Sequence, residues 1–231
     1  MAYGLHLTQH VIIESVPMLT TAIATSTMYT ADTAYQLRDF AQSKRYQVNE
    51  ITAHTVAADA PCRAEVEGFI HAVFKQVYGA NITQFMPDLV ALRDANGVLM
   101  AAFGLHAAAH DKLFLEQYID VPIEQLISER LGRTITRQEI TCIGNLAVAN
   151  PRNAGVLIAH VIQHSLDIGI EWCVATAHHS LQNGLIKGGR DVYALAPANP
   201  SRLSAEALSQ WGSYYRHLPQ IVAVRGVADP L

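Results

Sequence analysis

The chain has 231 residues, half of them hydrophobic and only 16% charged, which is enough apolar material for one large domain with a modest extension. A net charge of −4, with no basic block and no aromatic-plus-basic stripe, argues against nucleic acid as a partner. No run approaches the ~20 uninterrupted apolar residues of a membrane-spanning helix, and the N-terminus places no Lys or Arg ahead of its apolar residues as a signal peptide would.

Three cysteines (Cys62, Cys142, Cys173) form an odd set without metal-like spacing, which fits a reducing, cytoplasmic setting. The closest histidine groupings are His106 with His110, His160 with His164, and His178 with His179. None of them comes with a Cys or carboxylate at a familiar ligand spacing, so no metal is expected.

Residues 1–45 read as an N-terminal extension that wraps the domain or the partner subunit of a homodimer. It holds a short apolar run at Val11-Ile12-Ile13 and a helix over 31–44. The main domain is expected over 46–231. A strand is predicted from Tyr46 to Ala57, and a helix from Asp59-Ala60-Pro61 through Tyr78 carries Val66, Phe69, Ile70, Val73, Phe74 and Val77 as its apolar stripe. Asp88–Arg93 and Val98–Gly104 flank Asp94-Ala95-Asn96-Gly97, an Asn-Gly turn between apolar runs that specifies a hairpin. The apolar run Leu113–Asp120 leads to a helix over Pro122–Leu131.

The central unit is then a strand (Ile140–Ala149), a turn (Asn150-Pro151-Arg152-Asn153), a helix (Ala154–Asp167) and a second strand (Ile170–Ala177). A short helix over Ser180–Lys187, a strand over Asp191–Ala196, a helical stretch from Ser201 to about Tyr215 and a last strand over Gln220–Val224 complete an α/β chain. Leu203, Leu208 and Trp211 are expected to face inward.

A turn that feeds a helix is a natural anion site, because the first backbone amides lack intrahelical partners and the helix dipole adds positive potential. Arg152-Asn153-Ala154-Gly155 matches the first four positions of the pyrophosphate loop of GNAT-type acyltransferases, Arg/Gln-x-x-Gly-x-Gly/Ala, with Leu157 in place of the final small residue. The order of elements is also that of a GNAT-type domain: a mixed, mostly antiparallel central sheet flanked by helices. The insertion between hairpin and central strand is similar to that of the acyl-homoserine lactone synthases.

A closer likeness is to the thermostable haemolysin family. It rests on FMPDLVALRDANG (Phe85–Gly97), LFLEQYIDVPIEQL (Leu113–Leu126), IGNLAV (Ile143–Val148) and WGSYY (Trp211–Tyr215). IEWCVATA (Ile170–Ala177) and LAPANPSRL (Leu195–Leu203) agree more loosely. Cys142 stands where an acidic residue commonly precedes the xGNLA segment, and Ala177-His178-His179 departs from a TAT-like strand end.

The resemblance implies acyl transfer from a coenzyme A or acyl-carrier-protein thioester to a small amine-bearing acceptor. The thioester is then a co-substrate, and no cofactor is tightly bound. Two other readings stay open: a catalytically degenerate acyl-binding or accessory subunit, motivated by Cys142 and the imperfect loop, and a membrane-active haemolysin. In the first reading Leu146, Ala147 and Val148 run beside the pantetheine arm, and Arg152, Asn153, Ala154, Gly155 and Val156 meet the pyrophosphate.

Glu116, a carboxylate in an apolar run, is either a general base with a raised pKa or a hydrogen-bonded structural acid. Tyr118, on the same side if the run is a strand, donates to a leaving thiolate or packs. Asn145 binds substrate or marks a strand bulge where such folds splay open. Cys142 is a nucleophile or buried filler.

Overall fold

A computed structural model describes residues 51–226. The apolar run at 11–13, the helix over 31–44 and the beginning of the first predicted strand lie outside the described residues. Seven strands form one sheet: β1 (Thr52–Val56), β2 (Asp88–Arg93), β3 (Leu99–Ala107), β4 (Ile140–Val148), β5 (Trp172–Ala177), β6 (Val192–Pro197) and β7 (Gln220–Arg225). Their order is β1-β2-β3-β4-β5-β7-β6. All pairings are antiparallel except β4 with β5. This is the GNAT-like α/β fold expected from the order of elements. The helices are α1 (Arg63–Tyr78), α2 (Ile123–Leu131), α3 (Ala154–Asp167), α4 (His179–Lys187) and α5 (Ala205–Gln210).

The period-2 alternation of the strands divides the core between two faces. Val90, Leu92, Phe103 and Leu105 point to one face, where Leu157, Val161 and Ile162 of α3 and Leu185 of α4 cover them. Leu89, Ala91 and Ala102 point to the other, under Val66, Ile70 and Phe74 of α1. Those three recur every four residues, which is why this stretch is a helix with one buried stripe. Farther along that second face, Ile123 and Ile127 of α2 cover Ile140, Cys142, Trp172 and Val174.

Two stretches depart from the readings open to them. The run Leu113–Asp120 is no strand: Phe114–Tyr118 form a 3-10 turn, because the Glu116 carboxylate reaches back to the Leu113 amide at 2.7 Å and offers the chain a local partner. The stretch 201–215 is broken into a 3-10 turn at Pro200–Arg202, the short α5, and a second 3-10 turn at Tyr214–His217. Gly212 interrupts it at φ +53, where a side chain would collide with the Tyr78 carbonyl oxygen. Trp211 does pack on the core, but Leu208 is 37% exposed because its helix ends within two turns.

Candidate active site

The site is organised by an irregularity in β4. Ala102 of β3 pairs with Ala147 and Gly104 with Gly144, so Phe103 faces two residues of β4, Asn145 and Leu146. Asn145 adopts φ +51, a left-handed conformation that asparagine tolerates better than most residues. The bulge reverses the alternation of the strand. Cys142 faces the α2 side and Ile143 the α3 side, but past the bulge Leu146 and Val148 face α3 and Ala147 faces α1. Of the two readings open for Asn145, the bulge is present.

The bulge also marks a gap. The parallel pairing of β4 with β5 runs Ile140↔Trp172, Thr141↔Cys173, Cys142↔Val174 and stops there. Both strands continue, β4 to Val148 and β5 to Ala177. Past Cys142, β4 is paired to β3 alone and β5 to β7 alone, so a wedge opens between the two parallel strands towards the α3 turn.

Side chains on the α1/α2 face build one wall of the wedge. The Met86 amide donates to Asn145 Oδ1 at 2.8 Å. The Met86 side chain lies across Gly104 and Gly144, where any Cβ would strike it. Arg63 fixes this loop through the carbonyls of Met86 (2.6 Å) and Pro87 (2.7 Å). Beyond Met86 stands an aromatic cluster of Phe114, Tyr118, Trp211, Tyr214 and Tyr215. Tyr214 Oη donates to the Thr176 carbonyl of β5 at 3.1 Å, and the hydroxyls of Tyr118 and Tyr215 hydrogen-bond to each other. Burial first, then the Tyr215 hydroxyl, raises the Tyr118 pKa far above the ordinary phenol range.

The other wall, on the α3/α4 face, is an apolar cleft. Ile143 and Leu146 of β4, Ala175 of β5, Ile158 and Val161 of α3 and Leu181 of α4 line it around a narrow void of about 40 Å³. At its far end the Arg190 guanidinium donates to the carbonyls of Arg225 and Gly226.

Glu116 is 5% exposed, and its carboxylate is fully engaged. It accepts from the amides of Leu113 (2.7 Å) and Ile123 (3.1 Å) and from the Arg137 guanidinium at 2.7 and 3.0 Å. Burial alone would raise its pKa, but Arg137 and the two amides outweigh burial and hold it below the usual carboxylate range. The raised pKa expected of a base is therefore reversed: this carboxylate is an anion that ties the insertion together. Arg137 also bonds Glu124 at 2.8 Å and the carbonyls of Ala108 and Asp111.

Cys142 is 4% exposed. Burial, with Cys173 and Glu116 adding to it, pushes its thiol up to about 12. Such a thiol is protonated at neutral pH and is a poor nucleophile, so the nucleophile reading gives way to the buried one.

The turn after β4 starts α3 with a 3-10 segment, Pro151–Asn153. Asn150 closes it: its side chain accepts from the Arg152 amide at 3.0 Å and its carbonyl from Asn153 at 2.8 Å. The turn presents an exposed Arg152 and an exposed Gly155 at the positive end of the α3 dipole. Leu146, Ala147 and Val148 lead from the bulge to it, so the structure brings Asn145, Leu146–Val148 and Arg152–Val156 together along one edge of the wedge. Tyr118 belongs to the aromatic wall, and Glu116 sits on the α2 side behind it.

Three residues were not singled out from the sequence. Met86 carries no chemical cue of its own. Arg137 lies in a polar stretch with nothing to indicate a partner 21 residues away. His178 registered as part of a histidine pair and as an odd strand end, yet it follows β5 directly as the N-cap residue of α4.

The fold is shared with several solved structures. The acyl-homoserine lactone synthase LasI superposes with TM-score 0.50 at 9% identity over 78% of this chain and 92% of that one. FeeM, an N-acyl amino acid synthase from uncultured soil microbes, gives TM-score 0.50 at 12% identity over 76% and 89%. BjaI, a coenzyme A-dependent acyl-homoserine lactone synthase with bound SAM and isopentyl-CoA, gives 0.53 at 13% identity over 77% and 84%. No curated protein matches the sequence. Among the described residues no helix is long and apolar enough to cross a membrane. The family model described as thermostable hemolysin matches residues 56–228, about three quarters of the chain, and the chain belongs to that family.

Proposed function

We propose that the protein transfers an acyl group from a coenzyme A or acyl-carrier-protein thioester to a small amine-bearing acceptor. The observation that carries this reading is the wedge: two parallel strands that stop pairing at Cys142 and Val174 and then continue side by side. The unpaired edge of β4 offers backbone donors and acceptors along which an extended pantetheine arm binds as an added strand would. The thioester then reaches the level of Asn145, and its acyl chain enters between Ile143, Leu146, Ile158 and Leu181, which part to widen the narrow cleft they line. The Arg152 guanidinium at the α3 terminus takes the pyrophosphate or the carrier's phosphate.

The acceptor comes from the aromatic side, past Trp211 and Tyr214. Its amine nitrogen attacks the thioester carbonyl, the tetrahedral intermediate collapses, and the amide forms as the C–S bond breaks. An N-acyl product suits the fold shared with an N-acyl amino acid synthase.

The test is turnover. Full-length protein is mixed with decanoyl-CoA, or decanoyl-acyl carrier protein, and the common amino acids, with free thiol and N-decanoyl products followed together. Thiol release matched one-to-one by an amide product supports the reading. Thiol release with only free decanoate, or no release from either donor, contradicts it.

A further inference from the structure

Acyl transfer to an amine needs a base, because the attacking nitrogen must shed protons as the amide forms. Glu116 does not fill that role: its oxygens accept four hydrogen bonds from three residues, and it lies behind the aromatic wall. The phenols of Tyr118 and Tyr215 are committed to each other. Resting on the acyl-transfer reading, we propose that His178 is the general base, drawing the proton from the acceptor amine at the mouth of the wedge, with Ser180 fixing its ring.

Its position comes from the strand it ends. β5 runs through Thr176 and Ala177 beside the unpaired half of β4, and His178 is the next residue, extended at φ −79 and ψ 165 as the cap of α4. The alternation that sends Cys173, Ala175 and Ala177 to the α3 face sends His178 to the opposite, aromatic face, where its ring lies 6.0 Å from that of His217. The acceptor approaches from that side.

Ser180 Oγ lies 2.6 Å from His178 Nδ1. With Nδ1–H donating to Ser180, the lone pair resides on Nε2, the atom that takes the proton. The groups that face the ring from packed elements are His217 of the 214–217 turn, with Tyr78 of α1 beyond it at 6.0 Å, His179 on its own helix, and Tyr214, whose hydroxyl is committed to Thr176. Among the described residues, these groups include no carboxylate that would favour the imidazolium. Burial, with His217 and His179 pushing the same way, holds the imidazole below the ordinary histidine range, so it is neutral and receptive at pH 7.

The step balances without a co-reactant. The acceptor ammonium gives one proton to His178 Nε2, which passes it to solvent; the neutral nitrogen then bonds to the acyl carbon and gives its second proton to the imidazole as the C–S bond breaks. The imidazolium then returns its proton to the departing thiolate, leaving an amide, a free thiol and neutral His178.

The experiment compares wild type, His178→Gln and Ser180→Ala with decanoyl-CoA as donor and two acceptors: the best amino acid from the turnover screen and hydroxylamine, which is already neutral at pH 7. Decanoyl-CoA binding by calorimetry establishes that each variant is folded with its donor site intact. His178→Gln is expected to lower kcat for the amino acid about a hundredfold or more, to abolish the acid limb of its pH profile, and to lower hydroxylamine turnover far less. Ser180→Ala is expected to shift the acid limb without abolishing it. A His178→Gln protein that binds donor and retains kcat for the amino acid, or that loses both acceptors equally, overturns the assignment and leaves acyl transfer standing. A wild type that binds donor but turns over no acceptor overturns the transfer reading and His178 with it.

Discussion

The backbone amide of Met86 donates to Asn145 Oδ1 at 2.8 Å across 59 residues of sequence. This bond joins the FMPD segment to the IGNLAV segment, and the Tyr118–Tyr215 hydroxyl pair joins LFLEQY to WGSYY in the same way. The four sequence segments that carry the family likeness thus meet in pairs on one side of the wedge. What they have in common is the construction of that wall.

Asn145 performs two tasks, and they separate by substitution. Asn145→Ala loses the bond to Met86, worth about 1 kcal/mol, and gives up asparagine's tolerance of the left-handed region, a part of the roughly 1–2 kcal/mol an ordinary residue pays there. Asn145→Gly loses only the bond. The glycine variant is therefore expected to be the more stable of the two, the reverse of the usual order in a strand. Urea unfolding midpoints decide it, and an alanine variant as stable as the glycine variant would rule out the left-handed bulge.

Gly144 exists for Met86. A Cβ at 144 would strike Met86 Cε, the flexible end of that side chain, so Gly144→Ala is expected to cost about 1–3 kcal/mol through overpacking. Met86→Ala leaves a void and costs about 2–5 kcal/mol. In the double variant the new methyl occupies space the methionine vacated, and the two penalties should sum to clearly more than the double costs. Strict additivity in a thermal-melting cycle would show that the two residues do not touch.

Glu116 makes stability depend on pH in a defined direction. Its folded pKa lies below the ordinary carboxylate value, so its contribution is complete above the unfolded pKa and is lost as pH falls through the folded one. Glu116→Gln takes the charge partner from a half-buried guanidinium that keeps Glu124 and two carbonyls, and is expected to cost about 1–3 kcal/mol at pH 7. That deficit should shrink as pH drops below about 4. A constant gap between wild type and variant from pH 7 down to the acid transition would contradict the ion pair with Arg137.

The three thiols should divide one against two. Cys62 is exposed, whereas Cys142 and Cys173 are buried and their thiols are pushed up to about 12 and about 11 by burial. Native protein at neutral pH is expected to take up a single maleimide, and unfolded protein three, by intact mass. Rapid native labelling of Cys142 would revive it as a nucleophile.

The strands and helices of the domain were legible because each carries a clean period: Val66, Ile70 and Phe74 at four-residue spacing, or the Asn96-Gly97 turn between two apolar runs. The helix Ala154–Asp167 was read to the residue. The site was legible only in part, for a physical reason. Whether Asn145 binds or bends depends on Met86, and whether Glu116 is a base depends on Arg137. Both partners are distant in sequence, and nothing local in either residue announces the contact. An apolar run around a carboxylate indicated burial correctly, but burial alone gives the wrong direction of pKa when a guanidinium arrives from elsewhere in the fold.

If the wedge between β4 and β5 holds a thioester whose phosphates meet the α3 turn, as proposed, binding requires Arg152. Calorimetry with coenzyme A, decanoyl-CoA and decanoyl-acyl carrier protein, on wild type and on Arg152→Glu, tests it most directly. Saturable binding of at least one thioester is expected, tighter than free coenzyme A by the contribution of the chain in the apolar cleft, and lost in Arg152→Glu. Absence of binding to all three, or equal binding by the variant, would contradict it.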